Sequence, residues 1–405
     1  MPESWKGAER VDLIIVGGGM VGLTLANALR GLGWRVVIIE RGGAPVVRSL
    51  GLDCRVSAIV AGNVQMLRAT GAWTWMEGRA QALVQMRVWD DQHAGGIRFD
   101  AAEIGQPFLG YLVENSNLQQ GLLQNLEQDE DIELCLPANI TDIQWYEEAV
   151  NVVIDGQRRF SAPLIVGADG GRSWLREQSG IDCWQRDYRQ KGIVATVRPR
   201  RHHHGIAFQR FMRTGPLAVL PMCDGLCSIV WSNDNEQADA LMAMDDEAFL
   251  GALNDAFGPV LGDIVETGRR AAFPLRAQLA RHLVRPRLAL IGDAAHTIHP
   301  LAGLGVNLGM RDAMVLAQEI VDARRFDEDW GSMDVLKRYM KQRLPDILSV
   351  MGGMEGFHQL FTSSLPGLHV LRGMGMRLVG NAGLIKQLLM RNATGLSLPV
   401  PRRIG

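Results

Sequence analysis

The sequence predicts an α/β protein: a Rossmann-type domain that carries an inserted antiparallel β-sheet domain and continues into a helical C-terminal region. Three observations predict it. A strand, a glycine-rich turn, a helix and a second strand open the chain. The middle of the chain reads as strands with little helix between them, and near residue 287 a strand, a glycine-rich loop and a helix resume.

Residues 12–16 form a short apolar strand pattern, residues 20–32 a helix rich in Leu and Ala, and residues 35–39 a second buried strand. Between residues 81 and 100, Met86, Val88, Trp89 and Phe99 are separated by the turn-prone Asp90, Asp91, Gly95 and Gly96, a pattern of antiparallel strands. A helix is expected over 117–127, and strands over 132–136, 149–154 and 164–166. Strands at 195–197, 217–220 and 227–231 form the inserted sheet, followed by a helix at 245–257. The first domain then resumes with a strand at 287–291 and a helix at 306–323. The expected division is 1–75, 101–185 and 271–330 for the dinucleotide-binding domain, 76–100 and 186–270 for the substrate domain, and 331–405 for the helical region.

Composition bounds the function. With 405 residues, 47% hydrophobic and 21% charged, the chain is a soluble globular protein of two or three domains. A net charge of −2 and only short, scattered clusters such as Arg198, Arg200 and Arg201 argue against nucleic acid as a partner. The five cysteines have no CxxC or metal-ligand spacing, which fits reduced thiols. The polar N-terminus lacks the apolar core of a signal peptide, and no apolar run reaches the roughly 18 residues of a spanning helix, so a cytoplasmic protein is expected.

Val16-Gly17-Gly18-Gly19-Met20-Val21-Gly22 places glycines at the first, third and sixth positions of a dinucleotide fingerprint. Gly17 permits the tight turn, Gly19 lets backbone approach a pyrophosphate, and Gly22 lets helix and sheet pack closely. The diphosphate would rest on free amides at a helix N-terminus. Glu40 ends the second strand about 20 residues on, where a carboxylate accepts bonds from both ribose hydroxyls. The phosphate mechanics are common to FAD and NAD. Two further segments bear on the choice. Asp169-Gly170-Gly171-Arg172-Ser173 follows a strand and precedes a helix, although Asp169 alone reads equally as a helix cap. Gly292-Asp293-Ala294-Ala295-His296 ends a buried strand and runs into His299-Pro300-Leu301-Ala302-Gly303-Leu304-Gly305-Val306-Asn307. An Asp there can hold a ribitol hydroxyl, and the loop presents backbone amides from small residues.

Together the three segments resemble those of the FAD-dependent aromatic-ring hydroxylases typified by para-hydroxybenzoate hydroxylase, over about residues 10–330. The resemblance implies a Rossmann-type FAD/NAD(P)-binding domain, with FAD as cofactor, NADPH, NADH or a protein as reductant, and O2 as cosubstrate. It implies that Asp293 holds ribitol, that Asp169 and Arg172 shape the pyrophosphate and reductant site, and that Gly292, Pro300, Gly303, Gly305, Val306 and Asn307 form the flavin loop. Arg55, in Arg55-Val56-Ser57-Ala58-Ile59, matches the family's flavin-proximal arginine, a surface cation being the alternative. Asn115, in Gly110-Tyr111-Leu112-Val113-Glu114-Asn115-Ser116, falls where relatives place an amide or cation near FAD, a helix cap being the alternative.

These segments, with Cys227-Ser228-Ile229-Val230-Trp231-Ser232, are most similar to the ubiquinone-biosynthesis branch, and within it to hydroxylases of the 2-polyprenylphenol type. A demethoxyubiquinol hydroxylase is the alternative, and a flavin dehydrogenase or prenyl reductase on the same fold is the rival. The implied chemistry is hydroxylation of a prenylated phenol through a flavin 4a-hydroperoxide in a site that excludes water. One residue departs from the pattern: Leu304 stands where these enzymes usually have Gln. The catalytic base stays open among His296, His299, Tyr188, Tyr111 and a bound water.

His296 and His299 also form an HxxH pair, which without an adjacent Glu reads as loop packing rather than a metal site. His202, His203 and His204 read as a solvated hairpin. Met351, Met354, His358 and Phe361 recur at helical spacing and are expected to pack on the body. After Pro366, apolar Leu368, Val370, Leu371, Met374, Met376, Leu378, Leu384, Ile385, Leu388 and Leu389 are interleaved with Arg372, Arg377, Lys386 and Arg391. That pattern suits peripheral contact with the inner face of a membrane, other ubiquinone-biosynthesis proteins, or a homo-oligomer interface.

Overall fold

The computed structural model describes residues 5, 7–43, 55–90, 96–298, 305–362 and 383–396. His299, Pro300, Gly303, Leu304 and the apolar and basic residues from Pro366 to Leu378 lie outside them. The opening unit is strand β1 (Leu13–Val16), helix α1 (Met20–Leu29) and strand β2 (Val36–Ile39). Every residue of both strands is buried, as parallel strands covered on both faces require. Later strands are β3 (Ile132–Cys135), β4 (Ile165–Gly167), β5 (Cys183–Pro199), β6 (Cys227–Asp234), β7 (Ala271–Ala280) and β8 (Leu288–Leu290). Helices α2 (Gly305–Arg325), α3 (Met333–Thr362) and α4 (Gly383–Ala393) follow.

The first sheet runs in the order Val284–Arg285, β8, β4, β1, β2, β3, and β8 through β3 are parallel. Its register aligns the carboxyl ends: Gly167 pairs with Val16 on one side and Leu290 on the other, and Val16 pairs with Ile39. The turns at Gly17, Glu40, Ala168 and Ile291 therefore leave one edge of one sheet. In open α/β sheets that edge is where ligands bind.

The largest sheet among the described residues has β7, β5 and β6 in sequence, continues through Gly215–Pro221, Ile206–Met212, Gln85–Asp90 and Gly96–Asp100, and is antiparallel except where Ile206–Met212 meets Gln85–Asp90. The helices Asn235–Ala243 and Asp246–Phe257 cover one face, burying Ile193, Ala195, Phe208, Trp231 and Phe249. The first of these helices was not anticipated from the sequence. Strand β5 runs across the division expected at residue 185, and it pairs with β7, which begins at Ala271 directly after the division expected at 270. No turn residue or shift in composition marks a boundary inside a continuous strand.

Part of the C-terminal region packs inward. Met390, 4% exposed, joins Ala101, Ile104 and Leu109 in a small core. Lys386, expected on a basic outer surface, is buried and pairs with Glu103 at 2.7 Å, while Leu388 remains 60% exposed. Among the described residues no helix is long and apolar enough to cross a membrane.

Candidate functional site

The first turn is shaped by close approach. Gly17 has φ +110°, and a Cβ there would lie 2.3 Å from the Ala168 carbonyl oxygen, so the first turn abuts the second. A Cβ on Gly22 would lie 2.1 Å from the Gly17 carbonyl oxygen. Gly19, the residue before α1, is the opposite case: no described heavy atom lies within 4 Å of a Cβ placed there. Among the described residues the space beside this helix N-terminus is thus open, as the approach of a diphosphate requires. Glu40 stands beside it, its Oε2 accepting from the Gly18 amide at 2.7 Å and its Oε1 from the Gly42 amide at 2.6 Å. A carboxylate accepts about four bonds, so capacity for ribose hydroxyls remains.

At the second turn, both readings of Asp169 have a structural basis. Its Oδ2 accepts from the Leu175 amide at 3.1 Å, supporting the helix start, while Ser173 is the cap proper, accepting from the Arg176 amide at 3.0 Å. Its Oδ1 is buried with no hydrogen-bond partner among the described residues. An orphaned acceptor of that kind is costly unless a ligand supplies a donor. Arg172 is exposed. The cation that ties the site together is one the sequence reading passed over: Arg176, 4% exposed, donates to the Ala294 carbonyl at 2.9 Å and to the Gly171 carbonyl at 3.0 Å. It joins the second turn to the third. Gln278 adds a bond to the Gly171 carbonyl at 3.1 Å.

Asp293, at the third turn, has its side chain exposed, and desolvation by the neighbouring protein pushes its carboxyl above the usual carboxylate range, with His296 acting in the other direction. Beneath the turn lies a charged cluster. Asp312, fully buried on α2, accepts from the Gly292 amide at 3.0 Å, bonds His296 Nε2 at 2.5 Å, and accepts from Arg343 Nε on α3 at 2.7 Å. Burial opposes ionisation of Asp312, but His296 and Arg343 more than compensate and hold its carboxyl below the usual range. His296 is therefore a packed partner of Asp312, and among the described residues no cluster of His, Cys, Asp or Glu is arranged to hold a metal.

Gly305, Val306 and Asn307 form the first turn of α2, where amides lack partners within the helix. The Asn307 side chain is directed elsewhere, donating to the Ala58 carbonyl at 2.6 Å and accepting from the Val60 amide at 2.9 Å. It fastens the Val56–Val60 strand to α2. Arg55 precedes that strand, and its carbonyl accepts from the Asn115 amide at 3.0 Å. Asn115 is not the cap of its helix: Glu114 holds that position, and Asn115 Oδ1 accepts from Ser57 Oγ at 2.7 Å. Pro300 and Gly303 fall outside the described residues.

Among candidate bases, Tyr188 donates to Glu355 at 3.1 Å, and burial followed by the Glu355 charge pushes its hydroxyl up to about 12. A phenol held that firmly in its protonated form is a poor base at neutral pH. Tyr111 is engaged in ring packing with Trp73 and Phe108. The expected solvated His hairpin is half right, since His202 and His204 are exposed while His203 is buried and bonded to the Met222 carbonyl.

The open space over Gly19, the orphaned Asp169 Oδ1 and the exposed Asp293 carboxyl line one edge and fit an extended flavin nucleotide. Comparison with known proteins agrees. A family model described as "FAD binding domain" matches residues 10–351. The 3-demethoxyubiquinol 3-hydroxylase of Escherichia coli (strain K12) is 36% identical over 96% of this chain and 99% of its own. Ubiquinone hydroxylase UbiL of Rhodospirillum rubrum is 37% identical over 98% and 93%. Among solved structures, p-nitrophenol 4-monooxygenase PnpA from Pseudomonas putida DLL-E4 matches with TM-score 0.79 at 18% identity, covering 95% of this chain and 98% of that one, a likeness of fold.

Proposed function

The chain belongs to the FAD-binding monooxygenases, in the branch of the ubiquinone-biosynthesis hydroxylases, and from that premise we propose that it hydroxylates the aromatic ring of a polyprenylated ubiquinone precursor. The observation that carries the reading is the register that brings the turns after β1, β4 and β8 to one sheet edge. In this reading Gly17, Gly19 and Gly22 seat the diphosphate at the N-terminus of α1, and Glu40 accepts from the ribose hydroxyls. Asp169 Oδ1 and Asp293 accept from sugar and ribitol hydroxyls, with Arg176 fixing the distance between their turns. The amides of Gly305, Val306 and Asn307 would hold the flavin ring, a role the sequence resemblance extends to Gly292, Pro300 and Gly303. Arg55 and Asn115 approach the flavin from the Val56–Val60 side, and Arg172 stands at the entry for the reductant.

When bound, FAD supplies electron transfer from NADPH or NADH and the activation of oxygen. The chain's part is to hold the nucleotide, orient the substrate ring and keep water out.

The E. coli relative's name supports a demethoxyubiquinol as substrate, whereas the sequence resemblance favoured a 2-polyprenylphenol. The intermediate that accumulates in a strain lacking the gene tells the two apart. A lipid-borne substrate also supports contact with the inner face of a membrane, read by co-sedimentation with anionic vesicles. The activity itself is tested with purified protein, reduced nicotinamide and isotopically labelled dioxygen. Label in the hydroxylated product supports the proposal; product without label would favour a dehydrogenase or reductase on this fold, and failure to take up FAD would refute it.

A further inference from the structure

A cavity of about 340 Å³ lies between the paired strands β5 and β7 and helix α3. We propose that it seats the first isoprenoid units of the substrate's tail; this rests on the function proposed above and deepens it.

The walls come from register. Trp184 pairs with Leu279 and Arg186 with Ala277, so these side chains share one face of the β5–β7 ribbon. Gln278, on the other face, is the residue that reaches Gly171 of the second turn. The ribbon thus keeps the tail side apart from the pyrophosphate side. They meet at its edge, where His296–Thr297 pairs with β7 and is followed by Ile298, 6% exposed, which lines the cavity. The inner end therefore touches the third turn, and the ring of a substrate whose tail lay here would point toward that turn.

The lining chemistry selects a hydrocarbon. Its polar groups are engaged with one another: Arg186 bonds Glu355 at 2.6 Å and Tyr188 bonds the same carboxylate at 3.1 Å. The rest of the surface is mainly apolar, with Met351 and Met354 from α3 among its walls. Thioether side chains adapt to an irregular flexible chain without demanding one shape. At the mouth, Trp184 and Leu348 are each 49% exposed, an apolar rim suited to receiving a tail from lipid. The volume lies near the low end of the roughly 300–1,000 Å³ of small-molecule sites, enough for the first units of a tail but not the whole of a long one.

The test compares KM for a phenol bearing several isoprenoid units with KM for its tail-less methyl analogue, using flavin-loaded protein. Ala277→Trp fills the cavity from the sheet. Gly352→Leu fills it from α3, where no described atom lies within 4 Å of a Cβ and the helix gains propensity, so folding is not at risk. Displacing about two methylene groups is worth roughly tenfold, so each variant should raise KM for the prenylated phenol about tenfold and shrink its advantage over the analogue. The inference is overturned if both flavin-loaded variants keep the wild-type ratio, or if the wild type hydroxylates both substrates with equal KM. If instead the wild type takes no FAD and hydroxylates neither, the functional reading falls and this inference with it.

Discussion

Two alanine substitutions within one turn should separate cofactor binding from folding. At Gly19 the backbone has φ −76° and ψ 176°, a conformation any residue adopts, and no described atom lies within 4 Å of the added methyl. Gly19→Ala should leave the apoprotein as stable as before, or more stable by about 0.4–1 kcal/mol through a less flexible unfolded chain. The space over Gly19 is where the diphosphate is placed, so the same methyl should weaken FAD at least about tenfold, or roughly 1.4 kcal/mol. At Gly22 the order reverses. A methyl 2.1 Å from the Gly17 carbonyl oxygen forces backbone to move, a cost of about 1–3 kcal/mol paid by the apoprotein before any ligand is present. Thermal melts of the two apoproteins and a flavin titration of each give the four values needed. Wild-type FAD affinity in Gly19→Ala would refute the placement of the diphosphate, whatever Gly22→Ala does.

Arg176→Ala removes the bond to Ala294 of the third turn and the bond to Gly171 of the second, and should cost about 1–3 kcal/mol of stability while lowering FAD affinity, read by the same melts and titration. Asp312→Asn breaks a buried cluster and leaves Arg343 undercompensated, with an expected loss of about 3–5 kcal/mol in denaturant unfolding. Because the folded state depresses the Asp312 pKa, its contribution is present above the unfolded value of about 3.9 and is lost as pH falls through the lower folded value, so the wild-type-to-variant gap should narrow in acid. Tyr188 stays protonated to about 12, so Tyr188→Phe should leave the limbs of the kcat pH profile where they are; a displaced limb would restore it as a candidate base.

The parts legible in the sequence are those whose chemistry is local. Gly17, Gly22 and Glu40 follow from the geometry of a turn between two buried strands, and the parallel pairing of β1 with β2 follows from the strand, helix and strand that open the chain. What could not be read is what depends on a partner far along the chain. Arg176 looked like an ordinary residue of a short helix, because its acceptor at Ala294 lies 118 positions away. Asn307 sat inside the expected flavin loop, yet its amide is committed to Ala58 and Val60 about 250 positions earlier. A signal for Asp312 did exist. It falls on the apolar face of α2 with Leu308 and Leu316, and a carboxylate there requires a buried cation. The sequence could not supply the identity of that cation, Arg343.

Helix α3 links the two halves of the proposed chemistry. Arg343, about a third of the way along it, holds Asp312, and through it the Gly292 amide and His296 of the third turn. Eight residues on, about 12 Å along the axis, Met351 walls the cavity proposed for the tail, with Leu348 at its rim. Between them stands Pro345, which supplies no backbone donor and lets the two stretches differ in direction. One element thus fixes both the turn proposed to carry the flavin and the wall proposed to carry the hydrocarbon. A substitution that shifts α3 should change cofactor affinity and prenyl preference together, whereas Gly19→Ala changes only the first and Gly352→Leu only the second.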